Sequence, residues 1–474
     1  MINGNANFVN SITCLKNSVV SDSFEKCYQI RIYFKNKMAQ PITLFVLTRD
    51  FRTEDALTLY AAYDEAKTQK TKLSVVFRFD PQQIMPQNNP YYCSNAVQFM
   101  IEALDLLSDH LPFQWTDPIS DVEWKRYLSG LPLHKIFIAK DFSPFARQRY
   151  NFYNSIAETI EVDDITVFPM DKLKPYSKLG PFIDFLDHFA FPKPESRNIK
   201  WDKEISKLPN KKFINSGKIK IKHQNNDQIL VHADQIKDFE DHLGENIKGY
   251  ANKKVREQVG SPKVSYLSAF IKFGMISIRN VHILAKESKG PSAADKKAFH
   301  RELYFRDFYY TLAWYKPEEV FVRPDIQQKN PKFISEQDMI EWKKEKGVSP
   351  SVNEKEKKEI AEARETFEKW TKGETEYTLI NAGIHQLTET GYMLNRLRML
   401  TTSYLTQDYG LWWKYPEQFF ANYLTDYDWT INSMNHQNIA KVGLYPKYTL
   451  DFSIKRQEGM NQKDKEKYIE EFGG

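Results

Sequence analysis

Apolar positions follow two successive patterns along this chain. From Ile42 the segment ITLFVLT is an apolar run of strand length, followed by the charged RDFRTED and then by ALTLYAAYDEAK, whose spacing is helical; together they predict a βα unit. KLSVVFRFD at 72–80 predicts a second strand. A helix is predicted at about 95–108, NAVQFMIEALDLLS, with Val97, Met100, Ile101, Leu104 and Leu107 on one face. KIFIAKD at 135–141 and ITVFPM at 165–170 predict two further strands, so the alternation argues for a parallel sheet with crossover helices. Neither GxGxxG nor GxxxxGK[ST] accompanies these strands, which leaves this half without a nucleotide-phosphate fingerprint.

Beyond residue 170 the pattern weakens into Pro- and Lys-containing text such as KKFINSGKIKIKHQ at 211–224, and then becomes helix-rich and strand-poor to the end. The expected organisation is an N-terminal extension (1–40), an α/β domain (41–170), an interdomain linker (171–232) and an all-α C-terminal domain (233–474). Within the last, the charge-dense 341–370 predicts a solvated loop followed by an exposed helix.

A chain of 474 residues exceeds what one ordinary hydrophobic core organises, in keeping with two domains. With 41% apolar and 27% charged residues and no run approaching the roughly 20 apolar residues of a membrane span, a soluble, intracellular protein with no membrane partner is expected. Cys14, Cys27 and Cys93 share no CxxC spacing and the histidines form no HExxH pattern, so no structural metal is expected. A net charge of +5 permits contact with phosphates, and 14% aromatic residues suit both a large core and packing against flat ring systems.

The chemistry-bearing residues concentrate in ordered blocks. Val264-Ser265-Tyr266-Leu267-Ser268 opens YLSAFIKFGMISIR, where hydroxyls and orphan NH groups at a helix start suit a phosphate; a plain serine N-cap explains the pair alone equally well. FHRELYFRDFYYTLAW (299–314) sets Glu302 and Arg306 four apart on one helix face, a spacing that an ordinary ion pair worth ~0.3–0.5 kcal/mol would also use. Further on come Leu394-Asn395-Arg396-Leu397-Arg398-Met399 and then FANYLTDYDWTINSMNHQN, with Asp426, Asp428 and Asn432.

These blocks, in this order, resemble the photolyase/cryptochrome family, and LFVLTRDFRTEDAL (44–57) resembles that family's N-terminal RxDLRxxDxxAL segment. The resemblance implies an FAD held by Tyr250, Ser265, Tyr266, Leu267, Ser268, Phe299, Arg306, Arg398, Asp426, Asp428 and Asn432, with Asn432 facing the flavin N5. It implies catalytic roles for Glu302, Asn395 and Asn432. Contact with DNA would fall to Lys254, Arg256, Glu302, Phe305, Asn395, Arg396, Met399 and Gln457, and electron transfer to Trp413.

The implied activity is that of a class I-like deoxyribodipyrimidine photolyase: a monomer in which excited reduced FAD donates an electron that splits a cyclobutane pyrimidine dimer in damaged DNA. The alternatives are a cryptochrome-like light or redox sensor, and a degenerate fold kept for structure or DNA binding. Departures from the family pattern motivate them. His436-Gln437-Asn438 stands where the family has WQW, Val264 replaces a threonine, and Phe299 and Phe305 replace tryptophans. Losing a base-stacking aromatic weakens lesion binding by ~1–3 kcal/mol. Phe99 occupies the place of a folate-binding acid in some relatives, so a folate antenna is not expected and the antenna is unassigned.

Overall fold

The computed structural model describes residues 40–252, 255, 264–444 and 462–473, so the expected extension lies outside them apart from Gln40. Six strands form one sheet, β1 (Ile42–Leu47), β2 (Lys72–Arg78), β3 (Gln114–Thr116), β4 (Leu133–Ala139), β5 (Thr159–Val162) and β6 (Ile214–Ser216), in the order β5-β4-β1-β2-β3-β6. All pairs are parallel except β3 with β6, and α1 (Leu57–Gln69), α2 (Ser94–Ser108), α3 (Asp121–Ser129) and α4 (Pro144–Asn154) lie between the parallel strands. Every residue of β1 is buried. Phe45 and Leu47 join the core shared with the helical half, while Ile42, Leu44 and Val46 face the core around Trp124 and Tyr153. A strand buried on both faces has no reason to alternate, which is why ITLFVLT reads as a continuous apolar run.

One expected strand is misplaced. Residues 165–170 form no strand, and the fifth strand is Thr159–Val162, paired with β4 from Ile136 opposite Thr159. That edge strand is only half-buried over most of its length, so its apolar signal is weak. The apolar run at 165–170 packs instead against the helical half: Ile165, Val167, Phe168 and Met170 sit in the shared core, and the Val167 NH donates to Asp307 Oδ2 at 2.7 Å.

The stretch expected as a linker is also anchored. It supplies α5 (Leu179–Leu186), whose Phe182 lies 5.4 Å from the Phe308 ring, and the edge strand β6; the Ser206 NH donates to the Leu73 carbonyl at 2.7 Å. A three-residue strand among lysines is too short for periodicity to register.

The C-terminal half contains α6 (Ser268–Phe273), α7 (Ile278–Glu287), the 23-residue α8 (Ala293–Tyr315), α9 (Glu336–Glu345), α10 (Glu354–Thr371), α11 (Thr378–Thr390), α12 (Asn395–Ser403), α13 (Lys414–Tyr423) and α14 (Trp429–Ile439). Of the charge-dense stretch, residues 341–345 complete α9, which Ser335 caps through the Asp338 NH, and 346–353 form the expected solvated loop before α10. α10 begins with a reciprocal Asn353/Glu356 capping box and turns only Ile360, Ala363 and Trp370 fully inward.

The two halves are joined by buried charge. Arg279 on α7 donates to Asp55 Oδ2 at 2.7 Å, to Asp164 Oδ1 at 2.8 Å and to the Thr166 carbonyl at 3.0 Å. Arg52 pairs with the same Asp164 and donates to the Gly274 carbonyl at 3.1 Å. Gly274, at φ +68°, ends α6 against the N-terminal half so closely that a Cβ there would stand 2.1 Å from the Arg49 carbonyl oxygen. We expect Arg279→Met, which leaves two buried carboxylates short of a partner, to destabilise the protein by ~3–5 kcal/mol, read as a lower midpoint of denaturant unfolding.

Candidate cofactor site

A recess of about 230 Å³ opens between α6, the end of α11 and the loop before α14, lined by Val231, Tyr266, Ser268, Ala269, Thr390, Gly391, Tyr392, Thr425 and Asp426. Its floor depends on Gly391, at φ +70°, where a Cβ would meet both Asn95 Nδ2 and Thr425 Oγ1 at 2.7 Å. At the α6 side Leu267 is buried and Ser268 exposed to the recess, while Ser265 and Tyr266 are half-buried. Tyr266 holds the left-handed conformation (φ 53°), a strained backbone for a bulky residue, and its ring packs 5.1 Å from Tyr392 and 5.3 Å from Phe239.

Beside the recess lies a charged cluster. Arg398 donates through Nε to the Met393 carbonyl at 2.7 Å and through Nη2 to Asp426 Oδ2 at 3.0 Å. Burial pushes the Asp426 carboxyl up, but Arg398 foremost, with Ser268 and Lys272, holds it below the ordinary carboxylate value. Two residues on, Asp428 caps α14 through the Ile431 NH at 3.1 Å and accepts from the Tyr310 hydroxyl at 2.7 Å and from Arg49 at 2.8 Å. Burial raises it too, and Arg49, Tyr310 and the Ile431 NH more than offset that rise. Asn432, one turn into α14, donates to the Asp428 carbonyl at 3.0 Å. Arg398, Asp426, Asp428 and Asn432 are thus brought together around the start of α14.

The residues fit a bound dinucleotide at this place by what they leave unmet. Asp426 Oδ1 and Thr425 Oγ1 are buried without a protein partner, and both residues line the recess. The recess is shallow and partly open to solvent, so these two atoms mark a contact point for such a molecule and not its whole cavity.

The remaining expected residues spread over the adjoining surfaces. Tyr250 stands edge-on to Phe299 at 5.6 Å. Arg306 turns to the domain junction, donating to the Ile165 carbonyl at 2.7 Å. Glu302 is half-buried and pairs with Arg301 at 3.0 Å, and Phe305 packs 4.8 Å from Tyr309. Asn395 is exposed at the start of α12 with Met399 one turn below it, Nδ2 to Sδ 3.8 Å, and Arg396 beside it is half-buried. Trp413 is buried, its indole NH on the Pro324 carbonyl at 3.1 Å. Lys254, Arg256 and Gln457 lie outside the described residues. His436 and Gln437 are buried on α14; His436 Nδ1 meets the Asn432 carbonyl at 2.8 Å, and burial lowers its pKa to about 4, so the ring is neutral. Phe99 is core, 5.2 Å from Phe270 and 5.3 Å from Phe273.

Sequence reasoning did not single out Arg49, Tyr310, Thr425, Tyr392 or Lys272. Arg49 lies within the recognised RDFR text and Tyr310 within the FHREL block, but their meeting at Asp428 joins positions 49, 310 and 428, which no local pattern connects. Lys272 donates to the Thr425 carbonyl at 3.2 Å.

Comparison with known proteins gives this arrangement a class. Residues 299–472 match the family model described as the FAD binding domain of DNA photolyase, so the helical half is an FAD-binding domain of that type. The chain is 32% identical over 200 residues to a deoxyribodipyrimidine photo-lyase of Alkalihalophilus pseudofirmus, covering 42% of this chain and 35% of that one. It is 28% identical over 211 residues to a cryptochrome DASH of Vibrio parahaemolyticus, covering 44% and 41% respectively. These matches therefore span well under half the length of those relatives. An archaeal photolyase from Sulfolobus tokodaii, solved with two FAD molecules, shares the fold at TM-score 0.64 and 24% identity, over 91% of this chain and 90% of that one. Residues 299–472 are thus similar to the FAD-binding domain of DNA photolyases, and the chain as a whole has the photolyase/cryptochrome fold. Among the described residues no helix is long and apolar enough to cross a membrane.

Lys272 supplies a pH test of this geometry. Burial lowers its pKa to about 8, against Cys93, Asp426 and Asp428, which raise it; Arg49 adds to the lowering. Between about pH 8 and its ordinary 10.5 the unfolded chain holds this proton more fully than the folded one, so this residue's contribution to stability rises with pH through that window. We expect the stability of wild type relative to Lys272→Met to grow from pH 7.5 to pH 10, measured by urea unfolding at both values.

Proposed function

We propose that this protein is a light-driven photolyase that binds FAD and repairs cyclobutane pyrimidine dimers in DNA. The observation that carries the reading is the Arg398–Asp426 pair, set beside the unmet Asp426 Oδ1 and Thr425 Oγ1, with Asn432 one turn into the next helix. FAD, when bound, supplies a light-excitable electron donor. Arg398 keeps a guanidinium near the ring, favouring negative charge there in a site of low dielectric. Asn432 offers an amide that donates or accepts as the ring's protonation changes. Ser268 in the recess receives the anionic end, and Tyr266 with Tyr392 excludes water.

The same reading gives the surface a lesion-binding role. Asn395 presents an amide to a flipped base, Glu302 a carboxylate to its NH groups, and Phe305 with Met399 an apolar floor. Arg396, with Lys254, Arg256 and Gln457, would hold backbone phosphates, making affinity salt-dependent.

A second reading, a cryptochrome-like sensor, is favoured by one observation: buried His436 and half-buried Asn438 stand where the family has tryptophans. One preparation separates the readings. We expect protein as isolated to carry flavin absorbance and, once chemically reduced, to remove dimers from a defined oligonucleotide under near-UV light. Bound flavin without dimer loss, with light-dependent change in proteolysis, supports the sensor; no flavin at all sinks both.

A further inference from the structure

The hydroxyl of Tyr310 is held from two sides. It donates to Asp428 Oδ2 at 2.7 Å while accepting from Arg49 Nη2 at 2.9 Å, and Arg49 also reaches Asp428 at 2.8 Å. The ring is fully buried, stacked 4.7 Å from Phe142, whose other edge meets half-buried Trp314 at 6.1 Å. From this geometry we propose that Tyr310 is the one-electron donor that reduces light-excited flavin in this chain, passing its phenolic proton to Asp428. The inference rests on the proposed FAD site, since it uses Asp428 as a member of that site.

The neighbouring charges decide which species carries the hole. The Arg306 guanidinium lies 4.6 Å from the Tyr310 ring centroid, and Arg147 and Lys140 lie 4.9 and 5.2 Å from that of Trp314. A positive charge over a ring opposes a second positive charge on it, so radical cations of both residues are disfavoured. A neutral phenoxyl avoids the penalty. It requires a base at the phenol, and Asp428, held as a carboxylate by Arg49, is that base. His436, at the place of the usual flavin-proximal tryptophan, is no substitute, because a neutral imidazole is much harder to oxidise than indole or phenol.

The step balances. Light moves one electron from Tyr310 to the flavin and the phenolic proton to Asp428, leaving a neutral phenoxyl. A small-molecule thiol then returns one electron to the phenoxyl, Asp428 returns the proton, and the thiol loses its own proton to solvent, leaving a thiyl radical that couples with a second to a disulfide. Net, the flavin gains the electron that the thiol loses.

The test illuminates the full-length flavin-loaded protein with blue light, without oxygen and with dithiothreitol present, following flavin absorbance and trapping radicals for electron paramagnetic resonance. A tyrosyl signal that narrows when the protein is made with ring-deuterated tyrosine, and not with deuterated tryptophan, is expected. Tyr310→Phe should retain flavin, lose that signal and photoreduce at least tenfold more slowly. The label experiment reports any of the 26 tyrosines, so fluorotyrosine placed at position 310 alone, which keeps size and burial, must alter the radical's hyperfine pattern; an unaltered pattern overturns the inference even if Tyr310→Phe folds poorly. Flavin bound with a tryptophan-type radical, or with wild-type photoreduction in Tyr310→Phe, overturns the inference and leaves the FAD site standing; protein that binds no flavin overturns both.

Discussion

Buried charge at the junction of the two halves is the constraint on which the rest of this structure depends. Arg52, Arg279, Asp55 and Asp164 are each no more than 7% exposed, and ions so placed are tolerable only when paired and hydrogen-bonded with good geometry. Arg279 meets two carboxylates and a carbonyl at once, so the position of α7 against the sheet is set by directional contacts as well as apolar contact. The consequence reaches the candidate site directly: α6 precedes α7, its C-terminal Gly274 lies against Arg49, and Arg49 reaches across to Asp428 at the head of α14. Hydrophobic packing alone would allow these elements to slide. The ion network makes one docking much better than its neighbours, which a site assembled from residues 49, 268, 310, 398 and 428 requires.

The architecture was legible wherever burial was one-sided or complete over several residues. β1, β2 and β4 are long, apolar and central, and α2 shows its apolar face at helical spacing because its other face meets polar partners, Gln98, Glu102 and Asp105 bonding to residues 219–233. What escaped was short or shared. β5 is a half-buried edge, β3 and β6 have three residues each, and the run at 165–170 is apolar because it meets the helical half rather than a neighbouring strand. Apolarity reports burial, not partner, so a loop pressed between domains and a strand look alike in one dimension.

The site divides along the same line. Residues in compact blocks, such as Arg398 within LNRLRM and Asp426, Asp428 and Asn432 within LTDYDWTIN, were found because the spacing that makes them neighbours in space is also their spacing in sequence. Arg306 shows the limit. It shares the block's helix, yet its guanidinium turns to the Ile165 carbonyl and the Tyr310 ring, a choice made by elements that the block does not contain. Lys272, Thr425 and Gly391 were silent for another reason: an isolated lysine, threonine or glycine has an ordinary explanation until its neighbours are known.

Around the two aspartates the local charges nearly close. Asp426 and Asp428 bring two negative charges to the start of α14, and Arg398, Arg49 and Lys272 bring three positive ones, all at least partly buried. The macrodipole of α14 adds partial positive charge at the same end, where the Ile431 NH meets Asp428. Asp141, 3.2 Å from Arg49, brings the third negative charge, so the full charges balance and what remains is the partial positive charge of the helix end. Asp426 Oδ1, an acceptor only, is left to take a hydrogen bond from a donor on a ligand, and Thr425 Oγ1 can donate or accept. An electron-accepting ring that becomes negative on reduction, carried on a diphosphate, answers both demands. In the proposed FAD site, Arg398 and the end of α14 would lie on the side where the ring gains negative charge, independently of how the first electron arrives.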